Sequence, residues 1–243
     1  MSKRGKGAML LLARLDSTRL PNKQLKQLNT EFTVLSLLVK RLECCQIISD
    51  MIVTTTDRDL DQPLVDFAQE NKIPVFRGDV NNVAGRCLEA MKTNNLDWFI
   101  RICADSPLMD PKIVDLVATE FLNSESDLTS NVFVSHDFPY GCSVEIITRT
   151  AMQKICNLTD DPYYLEHVTA YAYKHSDQFE ILPVRATESY STDIQSITVD
   201  TPQDLDKAIW MVNQLDDPIH AELKDIIPLA ETWQQNHLSS SKV

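Results

Sequence analysis

Three cations stand on one short stretch of an acidic chain: Arg14, Arg19 and Lys23, with Ser17 and Thr18 between them. Cationic side chains offset the charge of a polyphosphate, while hydroxyls and backbone N–H groups on the same connection donate to its oxygens. The spacing is not that of a P-loop, since G-x-x-x-x-G-K-[ST] is absent, and it is not a dinucleotide fingerprint. Charge clusters of this kind commonly face solvent, so on charge alone a solvated basic loop stays open beside the phosphate reading.

Two aspartates are placed for metal chemistry. Asp105 follows an apolar run at 98–102, and Asp200 follows another at 197–199. Hard oxygen donors at two strand ends suit Mg²⁺, which takes one or two carboxylates and completes its shell with substrate phosphates. Other readings exist for both. Asp105 before Ser106-Pro107 also suits a turn. The run Asp200-Thr201-Pro202-Gln203-Asp204 also reads as a helix start, with Thr201 as cap, although that grammar does not use Asp200 itself. Asp57-Arg58-Asp59 is a rival acidic pair, and Asp59 and Asp61 equally suit the first turn of the next helix.

Composition narrows the setting. The chain has 243 residues, 43% hydrophobic and 24% charged, enough for one sizeable α/β domain. With 23 basic and 35 acidic residues the net charge is −12, which argues against nucleic acid and anionic membrane as bulk partners. Six cysteines include no C-x-x-C pair, so neither a zinc site nor a dithiol motif is expected. Lys3, Arg4 and Lys6 precede an apolar stretch that Arg14 interrupts, too short for a signal core or a membrane span. Reduced thiols and a cytoplasmic location are the expectation.

The elements that would carry these residues alternate. Apolar runs at 8–13, 47–54, 73–76 and 98–102 read as buried strands. Between them, Val34, Leu35, Leu38, Val39 and Leu42 mark one helix face, Leu64, Val65 and Ala68 a second, and Val83, Cys87, Leu88 and Met91 a third. Ile113, Leu116, Val117 and Phe121 follow, with Asp110 as cap and Pro111 in the first turn. Strand–helix alternation predicts a mostly parallel sheet covered on both faces, with ligands beyond the carboxyl ends of its strands. The second half is less regular. It predicts strands at 144–148, 179–184 and 197–199 and a helix at 163–174. A further helix carries Leu205, Ala208, Ile209, Val212 and Leu215, a last one spans 220–235, and the Ser239-Ser240-Ser241 tail reads as frayed. No repeat or linker divides the chain, so residues 1–243 read as a single domain with an irregular portion around 132–195.

The run Ala13-Arg14-x-x-Ser17-x-Arg19-Leu20-Pro21-x-Lys23 resembles the opening motif of the acylneuraminate cytidylyltransferase family, most closely its spore-coat polysaccharide biosynthesis branch. The likeness continues in order through Arg77-Gly78-Asp79-Val80, Arg101 to Pro111, Phe138 to Glu145, Glu166-His167-Val168-Thr169 and Thr198 to Pro202. It implies a three-layer nucleotide-diphospho-sugar-transferase-like (Rossmann-like) fold and a Mg²⁺-dependent enzyme. That enzyme would join CMP from CTP to a sugar acid of the nonulosonic type, for a surface glycan.

By residue, the resemblance points to Arg14, Ser17, Arg19 and Lys23 on the triphosphate, and to Arg77, Asn82 and Val83 near the nucleoside. It points to Asp105 and Asp200 on the metal, with Arg14, Lys23 and Asp105 closest to the chemistry. Glu145, Glu166 and His167 fall in blocks on the acceptor side. His167 has Tyr171 four residues on, and a packed structural histidine is an open alternative. Similar proteins form homodimers, but no segment here marks an interface.

The chain departs from the family at Asp16, where glycine is usual. A carboxylate there repels phosphate unless it turns away or helps hold metal. Tyr140 and Ser143 replace aspartates, and Gly85 stands where an aspartate is usual. Two other functions fit parts of the pattern: a glycosyltransferase using Asp57 and Asp59, and a nucleotide-binding domain without chemistry.

Overall fold

The structure is a computed structural model and describes residues 4–133, 137–186 and 196–240. Its centre is a seven-stranded sheet in the order β3-β2-β1-β4-β6-β5-β7. The strands are β1 (Gly7–Leu12), β2 (Met51–Thr56), β3 (Val75–Gly78), β4 (Trp98–Cys103), β5 (Leu128–Ser130), β6 (Glu145–Thr148) and β7 (Ile181–Pro183). β3, β2, β1 and β4 run parallel, and β6 is antiparallel to both β4 and β5. The chain winds outward from β1 to β3, then returns to place β4 on the other side of β1. Strand order therefore reverses between β1 and β4, where an open α/β sheet forms a crevice.

Successive residues of β1 point to opposite faces. Met9 and Leu11 pack with Val53, Ile100 and Ile102 under α1 (Val34–Leu42), α2 (Gln62–Glu70), α4 (Pro111–Leu122), α8 (Pro202–Gln214) and α9 (Leu223–Ser240). Ala8 and Leu10 pack with Ile52, Phe99 and Ile147 under α3 (Val83–Thr93), α5 (Arg149–Leu158) and α7 (Ala170–Lys174). Covering on both faces explains why these strands read as unbroken apolar runs. Arg41, fully buried on α1, donates to the carbonyls of Met109, Pro218, Ile219 and Ala221, tying α1 to the starts of α4 and α9.

Several expected elements differ. The helix expected at 163–174 is two: α6 (Pro162–Glu166) and α7, separated by a turn in which Ala170 donates to the His167 carbonyl at 2.7 Å. That turn lets the Thr169 hydroxyl reach Glu145 at 2.6 Å. Residues 197–199 form no strand, because Ile197 N bonds Tyr140 and Val199 N bonds Asp105, two separate segments rather than one ladder. α5 and β5 had not been expected, and α9 runs to Ser240 past Pro228 instead of fraying at Ser239. Asp59 and Asp61 lie in the 3-10 turn that leads into α2, with Asp61 at its N-cap position but making no side-chain cap bond. Asp110 and Thr201 do cap α4 and α8, the latter in a reciprocal box with Asp204. Of the irregular portion, 134–136 and 187–195 lie outside the described residues.

Candidate active site

The loop after β1 is pinned at both ends. Ala13 N donates to Thr54 O at 3.2 Å, Asn22 N returns to Leu15 O at 3.0 Å, and Leu15 and Leu20 are buried. Between these anchors the polar residues face a cleft of about 410 Å³ over the ends of β1 and β4. Arg14, Ser17, Arg19 and Lys23 of the loop line it, opposite Asp105 and Asp200, with Glu166 and His167 at one wall.

Lys23 organises the interior. Its side chain is 9% exposed, and its Nζ lies 2.6 Å from Asp105 Oδ2 and 2.6 Å from Asp200 Oδ1. The two aspartates meet because Val199 N donates to Asp105 O at 2.8 Å, bringing the start of α8 against the end of β4. Burial alone would lower the Lys23 ammonium, but the two carboxylates outweigh it and hold its pKa above the ordinary lysine value. Arg19 Nη2 adds a contact to Asp200 at 3.4 Å. Two carboxylate oxygens that converge on one cation are a donor set that fits a small divalent ion completed by phosphates. Among the described residues, no group of three or more acidic, imidazole or thiol side chains forms a metal cage.

Asp16 is held away from acting as a free anion. Arg58 Nη1 binds its Oδ2 at 2.6 Å, and Arg14 Nε lies 3.5 Å from Oδ1. The hydrogen bond from Arg58, aided by the charge of Arg14, keeps the Asp16 carboxyl below its usual range. Arg58 also binds the fully buried Asp61 at 2.9 Å, and Asp61 accepts from Leu15 N at 2.7 Å. Arg14 completes a bridge to α6 through Glu166 at 3.2 Å.

A second cavity of about 310 Å³ adjoins the first and shares Arg101 and His167 with it. Its floor is Glu145, paired across the β4–β6 register with Arg101 at 2.5 Å and accepting from Thr169 and the Tyr173 hydroxyl. Burial would raise the Glu145 carboxyl, but Arg101 and the two hydroxyls hold it below its usual range. Tyr140, Ser143 and Asn131 line the walls.

The structure thus brings together Arg14, Ser17, Arg19, Lys23, Val83, Asp105, Asp200, Glu166 and His167 around one cleft, with Glu145 in the adjoining one. It does not bring Arg77 or Asn82 to the cleft lining. The Arg77 guanidinium donates to Thr56 O, Arg58 O and Gln62 Oε1, so it braces the turn that aims Arg58. The Asn82 side chain accepts from Gly85 N as the cap of α3, where a Cβ at Gly85 would come within 2.6 Å of it. Asp57 and Asp59 are exposed and outside the lining.

Sequence reasoning gave no site role to Arg58, Asp61, Arg86 or Arg101. Arg101 had a legible signal, a lone cation inside the apolar strand 98–103, and Arg86 another, a cation on the apolar face of α3. Arg58 and Asp61 had none, because the groups they hold at the site, Asp16 and Leu15 N, lie in a different loop.

A cation-lined cleft at the strand-order reversal, with paired aspartates beneath it, defines a nucleotidyltransferase of α/β fold. The chain belongs to the cytidylyltransferase family, whose sequence pattern it matches over residues 8–235. It is similar to a cytidylyltransferase structure from Leptospira borgpetersenii (28% identical, TM-score 0.85, covering 96% of this chain and 95% of that one). It is 26% identical to the spore coat polysaccharide biosynthesis protein SpsF of Bacillus subtilis over 83% of this chain and 85% of that protein. A 3-deoxy-manno-octulosonate cytidylyltransferase from Chlorobium phaeobacteroides is 32% identical over 51% of this chain and 50% of its own. Among the described residues no helix is long and apolar enough to cross a membrane.

Proposed function

We propose that this cytidylyltransferase moves CMP from CTP to a hydroxyl of a sugar acid and releases pyrophosphate. The observation that carries the reading is the Lys23 ammonium held by Asp105 and Asp200 beneath the cationic loop, beside a second cavity large enough for a sugar. The acceptor hydroxyl oxygen attacks the α-phosphorus and gives up its proton to solvent, while the bond to the β-phosphate oxygen breaks and its electron pair leaves with pyrophosphate. Arg14, Arg19 and Lys23 offset the triphosphate charge as it shifts to the leaving pyrophosphate. Asp105 and Asp200 are the residues that would hold Mg²⁺, and the ion would supply Lewis-acid stabilisation of phosphate charge. The adjoining cavity takes the acceptor, so that Arg101 and His167, shared by both cavities, flank the position where the new bond forms. The sugar-acid class is supported by the octulosonate-specific relative, whose named substrate carries a carboxylate.

The glycosyltransferase alternative needs Asp57 and Asp59 at the metal, and their position outside the cleft lining speaks against it. Asp16 is no barrier to phosphate, since Arg58 already neutralises it. The reading is tested by pyrophosphate release from CTP and Mg²⁺ across a panel of sugar acids. Turnover with one of them is expected. No turnover with any, together with no CTP binding, overturns it.

A further inference from the structure

Glu166 ends α6 and lines the first cleft, but it does not line the second cavity. Its Oε1 lies 3.2 Å from Arg14 Nη2, joining residues 152 positions apart in the chain. In the same guanidinium, Arg14 Nε lies 3.5 Å from Asp16 Oδ1. An arginine of the phosphate loop is thus held between two carboxylates of the protein. Among the described residues, no other ion pair joins α6 to the loop after β1. α6 buries none of its five residues, and an element with little buried surface opens at low free-energy cost. Directly after it come His167, which lines both cavities, and Thr169, which bonds Glu145 at the floor of the second.

A triphosphate and Glu166 compete for Arg14. Both are anions in one cleft, and like charges at close range repel. Phosphate oxygens carry more charge and match the planar guanidinium bidentately, so the phosphate takes the contact. The pair is also easily given up, because the Arg14 and Glu166 side chains are 42% and 51% exposed and water screens such pairs. Once Arg14 turns to phosphate, Glu166 faces an anion instead of a cation. α6 then loses its tether and gains a repulsion at the same end, and the turn at His167 is attached directly to that end.

We infer that Glu166 is a latch. Its carboxylate occupies Arg14 in place of phosphate and holds α6 against the phosphate loop. A seated triphosphate displaces it and releases α6 together with the His167 turn, the wall that the two cavities share. Release of the acceptor-side wall therefore depends on nucleotide binding. This rests on the reading of the loop as a triphosphate site, and not on which base or acceptor is used. Glu166 positions that wall and touches no reacting atom.

Hydrogen–deuterium exchange at the amides of Leu165, His167 and Ala170, which bond Asp161 O, Tyr163 O and His167 O, reports the release directly. It is measured on the wild type, Glu166→Gln and Arg14→Met, each alone, with tripolyphosphate and Mg²⁺, and with CTP and Mg²⁺. In the wild type both triphosphates should raise exchange at these amides by roughly two- to fivefold, the scale of one exposed ion pair. Glu166→Gln should show that faster exchange with no ligand added and change little when one is. It should also bind both triphosphates about two- to fivefold tighter, since neither then has to break the pair. Arg14→Met should match Glu166→Gln in exchange without ligand but bind triphosphate more weakly, so the result does not hang on one variant. Slower exchange at these amides on ligand binding, weaker triphosphate binding by Glu166→Gln, or wild-type exchange in both variants overturns the inference. A wild type that binds CTP with no change in exchange counts against the latch alone. Release by tripolyphosphate without any turnover of CTP supports the latch and counts against the cytidylyltransfer reading. A wild type that binds neither ligand overturns both.

Discussion

Arg58 reaches from the loop after β2 to the loop after β1 and holds Asp16, with Nη1 2.6 Å from Oδ2. If the loop binds phosphate as proposed, this pairing converts its carboxylate from a repelling charge into an anchor. Arg58→Met should free Asp16 toward the cleft and weaken CTP binding by roughly three- to tenfold, the scale of one unscreened like-charge contact. Asp16→Gly in the same background should restore most of that loss, because it removes the charge that Arg58 had been offsetting. Titration calorimetry on the single and double variants decides the point. If the double variant binds CTP no better than Arg58→Met, Asp16 is not the charge that matters.

Lys23 links stability to alkaline pH. Its folded pKa is raised above its unfolded value, so its ion pairs contribute fully below the unfolded value of 10.5. That contribution is lost as pH rises through the folded pKa. Wild-type melting temperature should therefore fall more steeply above that pH than that of Lys23→Met. The variant should also bind CTP more weakly, since it lacks the ammonium nearest both aspartates. Parallel alkaline slopes in the two proteins would show that Lys23 is not titrating against its partners.

How far the sequence went follows from the range of each signal. Strands β1 and β4, the loop cations and both aspartates were legible because each depends on its own local pattern: an unbroken apolar run, then polar residues at the strand end. Their convergence was legible only through strand order, since Lys23 and Asp200 lie 177 positions apart in the chain. Arg77 lies one residue before the end of β3, but β3 is the sheet edge, and the Arg77 guanidinium is taken up by the carbonyls of Thr56 and Arg58. The break at His167 was invisible to helical periodicity, because it is set by Glu145, a buried acceptor on another strand that draws in Thr169.

The two acidic pairs should separate in activity. Asp105→Asn and Asp200→Asn should each lower the rate of pyrophosphate release by about a hundredfold or more, the usual cost of removing a group that stabilises transition-state charge. Asp57→Asn and Asp59→Asn are exposed changes outside the cleft lining and should leave the rate within about threefold, as surface substitutions generally do. Initial rates at saturating CTP and Mg²⁺ measure this. The reverse pattern would move the metal to Asp57 and Asp59 and favour the glycosyltransferase reading.

Arg101 lines both cavities and Glu145 the second, and each is the other's charge partner, with Glu145 buried and Arg101 partly so. Breaking such a pair by removing one member leaves an uncompensated charge and costs about 3–5 kcal/mol, whereas removing both costs less. Arg101→Met should therefore destabilise the protein more than Arg101→Met combined with Glu145→Gln, a difference that denaturant melts of a double-mutant cycle resolve. The pH dependence carries the same sign. The Glu145 carboxyl is held below its unfolded value of 4.5, so its contribution is present above that pH and is lost as pH falls through the folded pKa. Below pH 4.5 the wild type should lose stability faster than Glu145→Gln, which has no proton to take up at that position. Equal acid slopes, or a double variant less stable than Arg101→Met, would mean that the two charges do not depend on one another.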